Sequence, residues 1–140
     1  MKKVLALLLL VILLGTNSAV AQQADRLIIT PYYSHTFSIF AGLEINGGVA
    51  TCSGSVTGRY GYTFTTAKVT LQKREVGSED WEYVDSWSKT AAGRFTAQVE
   101  ETKSVSSTYD YRVYVKGTIT DSEGVILETT SCLLYTSDAA

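Results

Sequence analysis

His35 is the only histidine in the chain of 140 residues, and that alone narrows the chemistry. A nucleophilic triad needs a base beside Ser or Cys, with an acid to orient it. Hydroxyls abound, so many Ser-His-Asp sets can be drawn and no spacing singles one out. A surface or structural role is the simpler expectation for His35. One His with one or two Cys cannot complete a zinc site without several carboxylates. Glu79, Asp80 and Glu82 cluster, but not at the spacing of a calcium loop; a solvated acidic turn accounts for them. Glu100 and Glu101 are adjacent, and neighbours in a strand point to opposite faces. That does not suit the paired carboxylates of a glycosidase. Gly47-Gly48 and the glycines between 58 and 61 lead into no helix, so no phosphate cradle is expected. No catalytic, metal-binding or cofactor-binding residue emerges, and the expectation is a protein that is not an enzyme and carries no cofactor.

The one suggestive group is aromatic. Trp81, Tyr83, Trp87, Tyr60, Tyr62 and Tyr114 are many rings for a short chain. Exposed Trp and Tyr stack on sugars in binding modules and anchor protein interfaces. Trp81, Tyr83, Tyr60 and Tyr62 are therefore the candidate ligand-binding residues. The competing expectation is that the rings fill a core. It is preferred for Trp87 and evenly balanced for Trp81.

Those side chains must be held by strands. The strongest strand signal runs from Val105 to Val115. Tyr109, Tyr111, Val113 and Val115 share one face, with Asp110, Arg112, Tyr114 and Lys116 on the other, the period of two of a half-buried strand. Val105 lies six residues before Tyr111 across a polar turn. This suits a tyrosine corner, in which the ring covers apolar surface and the hydroxyl bonds corner backbone. Ring burial would contribute roughly 1.5–3 kcal/mol, and the hydroxyl about 1 kcal/mol.

The remaining strands follow in order. Leu27-Ile28-Ile29 is a short apolar run closed by Pro31. Phe37, Ile39, Ala41, Leu43 and Ile45 alternate along one side. Asn46-Gly47-Gly48 is turn chemistry, and Ala50, Cys52, Gly54 and Val56 return inward, which makes a hairpin. The segment from Gly58 to Thr66 is a loop or a short strand. Further strands are expected from Ala67 to Arg74, from Trp81 to Trp87, through Phe95, Ala97 and Val99, from Val105 to Thr120, and from Val125 to Thr130. Trp81, Tyr83, Asp85 and Trp87 are placed on one face, and the lone acid there hints at an edge strand. About seven short strands and no helix imply an all-β antiparallel sandwich, immunoglobulin-like or fibronectin type III-like, with a small barrel as the other possibility.

Met1-Lys2-Lys3, an uninterrupted apolar run from Val4 to Leu14, and Ala19-Val20-Ala21 form the three regions of a secretory leader. The run is too short to span a bilayer, which takes about 20 residues. Cleavage is expected after Ala21, giving a secreted protein with no membrane span once residues 1–21 are removed. Residues 22–131 then form a single sandwich domain. Without Lys2 and Lys3, ten basic residues stand against fourteen acidic, a net charge of −4. Arg59, Lys73, Arg74 and Lys103 are scattered among acids. The expectation is no nucleic-acid partner.

Residues Lys68 to Arg74, the acidic turn and Trp81-Glu82-Tyr83-Val84 resemble the middle hairpin of fibronectin type III domains, and Val105 to Val115 resembles their corner and next strand. The usual corner Pro is replaced by Ser107, and the early core Trp is missing. Cys52, Leu71-Gln72-Lys73, Trp81, Val84 and Ser86-Trp87-Ser88 also resemble the pattern of small secreted clostridial (Firmicutes) proteins grouped as a domain of unknown function. That resemblance implies a bacterial, extracellular sandwich and no particular activity.

The tail from Cys132 to Ala140 resembles the translation of a transposase adapter used in sequencing libraries. The resemblance implies that the natural chain departs from this one at or near Ser131, and that residues 132–140 are an artefact. Two Cys in an exported chain invite a Cys52–Cys132 disulfide. If Cys132 is foreign, Cys52 is a lone buried thiol behaving as a small apolar residue, and this is the preferred expectation. Three functions follow: a non-catalytic extracellular interaction module whose partner is a protein or glycan, then a carbohydrate-binding module using Trp81 and Tyr83, and last a small hydrolase.

Overall fold

The structure, a computed structural model, describes residues 25–29 and 33–136. The leader with its cleavage point, Pro31 and the last four residues of the tail lie outside the described residues. The chain forms strands β1 (Asp25–Ile29), β2 (Thr36–Asn46), β3 (Val49–Gly58), β4 (Phe64–Glu75), β5 (Glu82–Ala92), β6 (Thr96–Ser104), β7 (Tyr109–Thr120) and β8 (Ile126–Tyr135). They make two antiparallel four-stranded sheets, ordered β1-β2-β3-β6 and β5-β4-β7-β8. The seven expected strands are β2 to β8. The eighth is β1, where the run Leu27-Ile28-Ile29 pairs with β2.

Alternation builds the core. Ile39, Ala41 and Leu43 of β2, Ala50, Cys52 and Val56 of β3, Ala67, Val69 and Leu71 of β4, and Tyr111, Val113, Val115 and Ile119 of β7 are buried between the sheets. Burying each Val, Leu or Ile contributes about 1.5–3 kcal/mol. The sheets approach closely where a side chain is missing. A Cβ on Gly54 would lie 2.6 Å from a methyl of Val69 and 2.7 Å from one of Val115. The β2–β3 hairpin closes through Gly47 and Gly48, at φ 58° and 77°, the two positive values that a type I′ turn needs.

The corner before β7 forms through backbone. The Tyr111 hydroxyl donates to the Ser106 carbonyl at 3.0 Å and accepts from the Ser106 amide at 2.9 Å. Val105 packs against the core, and its amide donates to the Gly48 carbonyl at 2.9 Å. That bond carries the β3–β6 ladder on into the corner and ties it to the hairpin turn.

Local expectations in β5, β2, β8 and β6 are corrected, the first two because of one extra residue. Val84 is unpaired where β5 steps past Leu71 and Gln72, and a bulge of this kind changes the facing of what precedes it. Asp85 and Trp87 therefore face inward, while Tyr83 faces out and is 64% exposed. Trp81 precedes the strand altogether. Phe37 is the extra residue in β2, so Thr36 takes the buried place and Phe37 is turned out. β8 continues past Thr130 to Tyr135, with Leu127 as its bulge. Phe95 lies just before β6 and is exposed. β5 is an edge strand, in keeping with its inward acid.

Candidate functional site

The outer face of the β5-β4-β7-β8 sheet collects more side-chain chemistry than any other surface. Registered pairing sets it out in rows. Tyr83, Gln72, Arg112 and Tyr135 stand side by side across the four strands. The next row is Ser86, Thr70, Tyr114 and Leu133. Then come Ser88, Lys68, Lys116 and Ser131, followed by Thr90, Thr66, Thr118 and Thr129. Two of these threonines share a hydroxyl bond, Thr66 to Thr90 at 2.7 Å.

Trp81 folds from the β4–β5 turn over one end of this face. The guanidinium carbons of Arg74 and Arg112 lie 4.6 and 4.3 Å from its ring centroid, and Tyr135 meets it edge-on at 5.6 Å. Each cation–ring contact is worth about 0.5–1 kcal/mol when exposed. Other bonds hold the arginines in place. Arg74 Nε donates to Asp110 at 3.3 Å, and Arg112 Nε donates to Gln72 at 2.7 Å. Beside this stack lies an open cavity of about 130 Å³, lined by Arg74, Trp81, Asp110, Tyr111, Tyr135 and Thr136.

Tyr60 and Tyr62 are elsewhere. They lie in the loop between β3 and β4, at the opposite end of the sandwich from the β4–β5 turn. Their rings stack on each other at 5.4 Å, and His35 meets Tyr60 edge-on at 5.6 Å. The four candidate aromatics are thus not brought together: Tyr60 and Tyr62 stack at one end, while Trp81 meets Tyr135 and Tyr83 bonds Ser86 toward the other. Trp87 packs against the core. Tyr114 stands outward at the middle of the sheet face, half-buried.

His35 has unexpected neighbours. Glu128 of β8 accepts from the Ser34 amide at 2.9 Å, the Ser34 hydroxyl at 3.2 Å, the His35 amide at 3.1 Å and the Thr36 hydroxyl at 2.7 Å. The Ser34 oxygen is also 2.9 Å from His35 Nδ1. A serine, a histidine and an acid are therefore together, but in the wrong order for a nucleophile. The carboxylate bonds Ser34 and the backbone, and no acid among these contacts reaches the imidazole to orient it as a base. Burial pushes the Glu128 carboxyl up, but the bonds from Thr36, His35 and Ser34 outweigh it and hold the carboxyl below its ordinary range. The arrangement clamps the segment before β2 onto β8. Sequence reading missed it because Thr36 and Glu128 are 92 positions apart.

Asp85 faces inward from the other side of the same sheet and accepts from Lys103 Nζ of β6 at 3.0 Å. The Lys103 bond, and then the Ser86 amide, lower its pKa. Cys52 and Cys132 are both buried, free thiols. Burial, with a smaller push from Asp85, drives the Cys52 thiol up to about 12. Burial also raises that of Cys132. Such thiols stay protonated near neutrality and are poor nucleophiles.

Among the described residues no three His, Cys, Asp or Glu side chains are placed to hold a metal ion. No helix among them is long and apolar enough to cross a membrane. The chain matches no protein-family model and no curated protein.

Proposed function

We propose that this chain is a non-catalytic extracellular interaction module of a bacterium, secreted after removal of residues 1–21. One observation carries this reading: the outer face of the β5-β4-β7-β8 sheet presents Tyr83, Arg112, Tyr114, Lys68 and Lys116 in registered rows. Broad rings and cations on a rigid sheet are the usual anchors of recognition. Strands β2, β3 and β6 packed on β5, β4, β7 and β8 support the fibronectin type III-like form of the sandwich. In the immunoglobulin constant arrangement the fourth strand stays with the first sheet, whereas here β5 pairs with β4. The tie to small secreted clostridial proteins belongs to the same proposal.

A carbohydrate-binding module is the second reading, favoured by Tyr83, which is 64% exposed. Trp81 suits it less well, because two guanidinium groups already cover its ring. The hydrolase reading is set aside on the order of contacts around Ser34. The test is a glycan and matrix-protein array probed with the purified protein, Tyr83→Ala, Arg112→Ala and His35→Ala. The module reading expects binding that Tyr83→Ala or Arg112→Ala weakens at least tenfold while the protein stays folded at the assay temperature. Ester or glycoside turnover that depends on His35, or no binding to any array member, counts against it.

The proposal extends to the tail. Residues 132–135 complete β8 opposite Arg112 to Val115, a register that needs only backbone groups and apolar side chains at the inward positions, which Cys132 and Leu134 supply. We infer that the natural chain carries other residues there, and that Cys52 has no natural disulfide partner at position 132. An independent read of the gene across codons 128 to 140 tests this: a sequence unchanged from this one refutes it.

A further inference from the structure

The outward rows of β5, β4, β7 and β8 differ in charge from those of β2, β3 and β6. On the outward rows of β5, β4, β7 and β8 the charged residues are Lys68, Arg74, Asp110, Arg112 and Lys116. Asp110 is taken by Arg74. On the outward rows of β2, β3 and β6 they are Glu44 and Glu100. Four of the twelve cationic residues of a chain of formal net charge −2 thus stand on one face with a single acid.

The centre of that face holds a like-charged pair. Lys68 of β4 and Lys116 of β7 are direct cross-strand partners, and both are exposed. Like charges directly opposite one another repel. Among the described residues neither lysine has an ion-pair or hydrogen-bond partner. Nothing on the sheet relieves the repulsion, and an anion lying between the two ammonium groups would. The surroundings define the rest of the ligand. Ser88 and Ser131 extend the lysine row on both sides, and a row of threonines lies beyond it. On the other flank Thr70 and Tyr114 separate the lysines from Arg112. Hydroxyl rows and a tyrosine ring suit sugar hydroxyls and a sugar face. The cations run along β4 and β7 from Lys68 to Arg74, about 20 Å at some 3.3 Å per residue, which is long enough for several sugar units.

We propose that this face binds an acidic polysaccharide, its carboxylates on the Lys68–Lys116 pair and on Arg112 and its chain running along β4 and β7. The proposal rests on the module reading and names its ligand class. Four cations with one acid among them, flanked by serine and threonine rows, argue for a sugar chain whose hydroxyls those rows can meet over a nucleic acid, which needs more clustered cations.

The test is affinity electrophoresis of the purified protein in native gels containing polygalacturonate, with dextran and a single-stranded DNA oligonucleotide as comparison probes. Polygalacturonate is expected to retard the protein at low salt, and dextran is not. Lys68→Gln with Lys116→Gln is expected to raise the apparent Kd at least tenfold, while Glu44→Gln with Glu100→Gln leaves it within twofold. The lysine double variant is also expected to melt at or above the wild-type temperature, because the repelling pair is gone, so unfolding cannot account for its lost binding. Equal retardation by dextran, tighter lysine-dependent binding of the oligonucleotide, or retardation that survives the double substitution would overturn the proposal. A protein that ignores polygalacturonate but still binds array members through Tyr83 or Arg112 would overturn the ligand assignment and leave the module reading standing.

Discussion

The two open sides of the sandwich are each closed by an inward carboxylate on an edge strand, and they are closed by different means. On one side Asp85 of β5 meets the charged Lys103 of β6. On the other Glu128 of β8 collects neutral donors from Ser34, His35 and Thr36. Both blunt an edge that could otherwise pair with another chain. The ion pair is exposed enough for solvent and salt to screen it. The Glu128 clamp satisfies the Thr36 hydroxyl, which is fully buried, and losing it leaves a buried polar group without a partner. Two acids in equivalent places thus differ in what they contribute, and the difference lies in the donor.

The sharpest way to break this contrast is Glu128→Ala. It strands the Thr36 hydroxyl and two amides, and a loss of about 2 kcal/mol is expected in urea unfolding. Thr36→Val added to it should recover part of that loss, because the unpaired hydroxyl is removed as well. A cost equal to that of Asp85→Ala would erase the distinction between the two sides.

Acid acts on both sides, because hydrogen bonds hold the Asp85 and Glu128 carboxyls alike below their ordinary values, and a substitution at Glu128 isolates one of them. The Glu128 carboxyl sits below its ordinary value of 4.5 in the folded state. Such a group contributes stability that is whole above the unfolded value and is lost as pH falls through the folded one. Wild-type stability should therefore decline on acidification below about pH 4.5, and Glu128→Gln should flatten that decline. At the alkaline end the Cys52 thiol works in the opposite sense. Its folded pKa of about 12 exceeds the unfolded value of 9.0. The unfolded chain then loses its proton first, and stability falls between pH 9 and 12. Cys52→Ser or Cys52→Ala should shallow that slope, and dithionitrobenzoate should label neither cysteine until the protein unfolds. The smallest effect belongs to the ion pair. Raising salt to about 1 M shortens the screening length to roughly 3 Å and should make Asp85→Asn and wild type equally stable, while the cost of Glu128→Ala persists.

The two sides were also unequally legible. Asp85 stood alone in an apolar alternation, which is what an inward edge charge looks like in sequence. Glu128 lies in a polar run, and its partners are at the other end of the chain, so nothing local marks it. The same distinction holds across the fold. The Val105–Tyr111 corner and the Asn46-Gly47-Gly48 hairpin are local patterns with local causes. The facing of Trp81, Tyr83 and Phe37 depends on bulges at Val84 and in β2, where one inserted residue reverses a period-two reading. The Lys68–Lys116 pair was hidden for a third reason. Each lysine is ordinary in its own strand, and only the β4–β7 register brings them together.

That register carries the central claim, that the outward rows of β4 and β7 are the working surface. The most direct measurement is an NMR titration of the labelled protein with polygalacturonate oligomers. The account predicts amide and side-chain shifts concentrated at Lys68, Thr70, Arg112, Tyr114 and Lys116. Shifts gathered instead on the Glu44–Glu100 face, or in the Tyr60–Tyr62 loop, would contradict it.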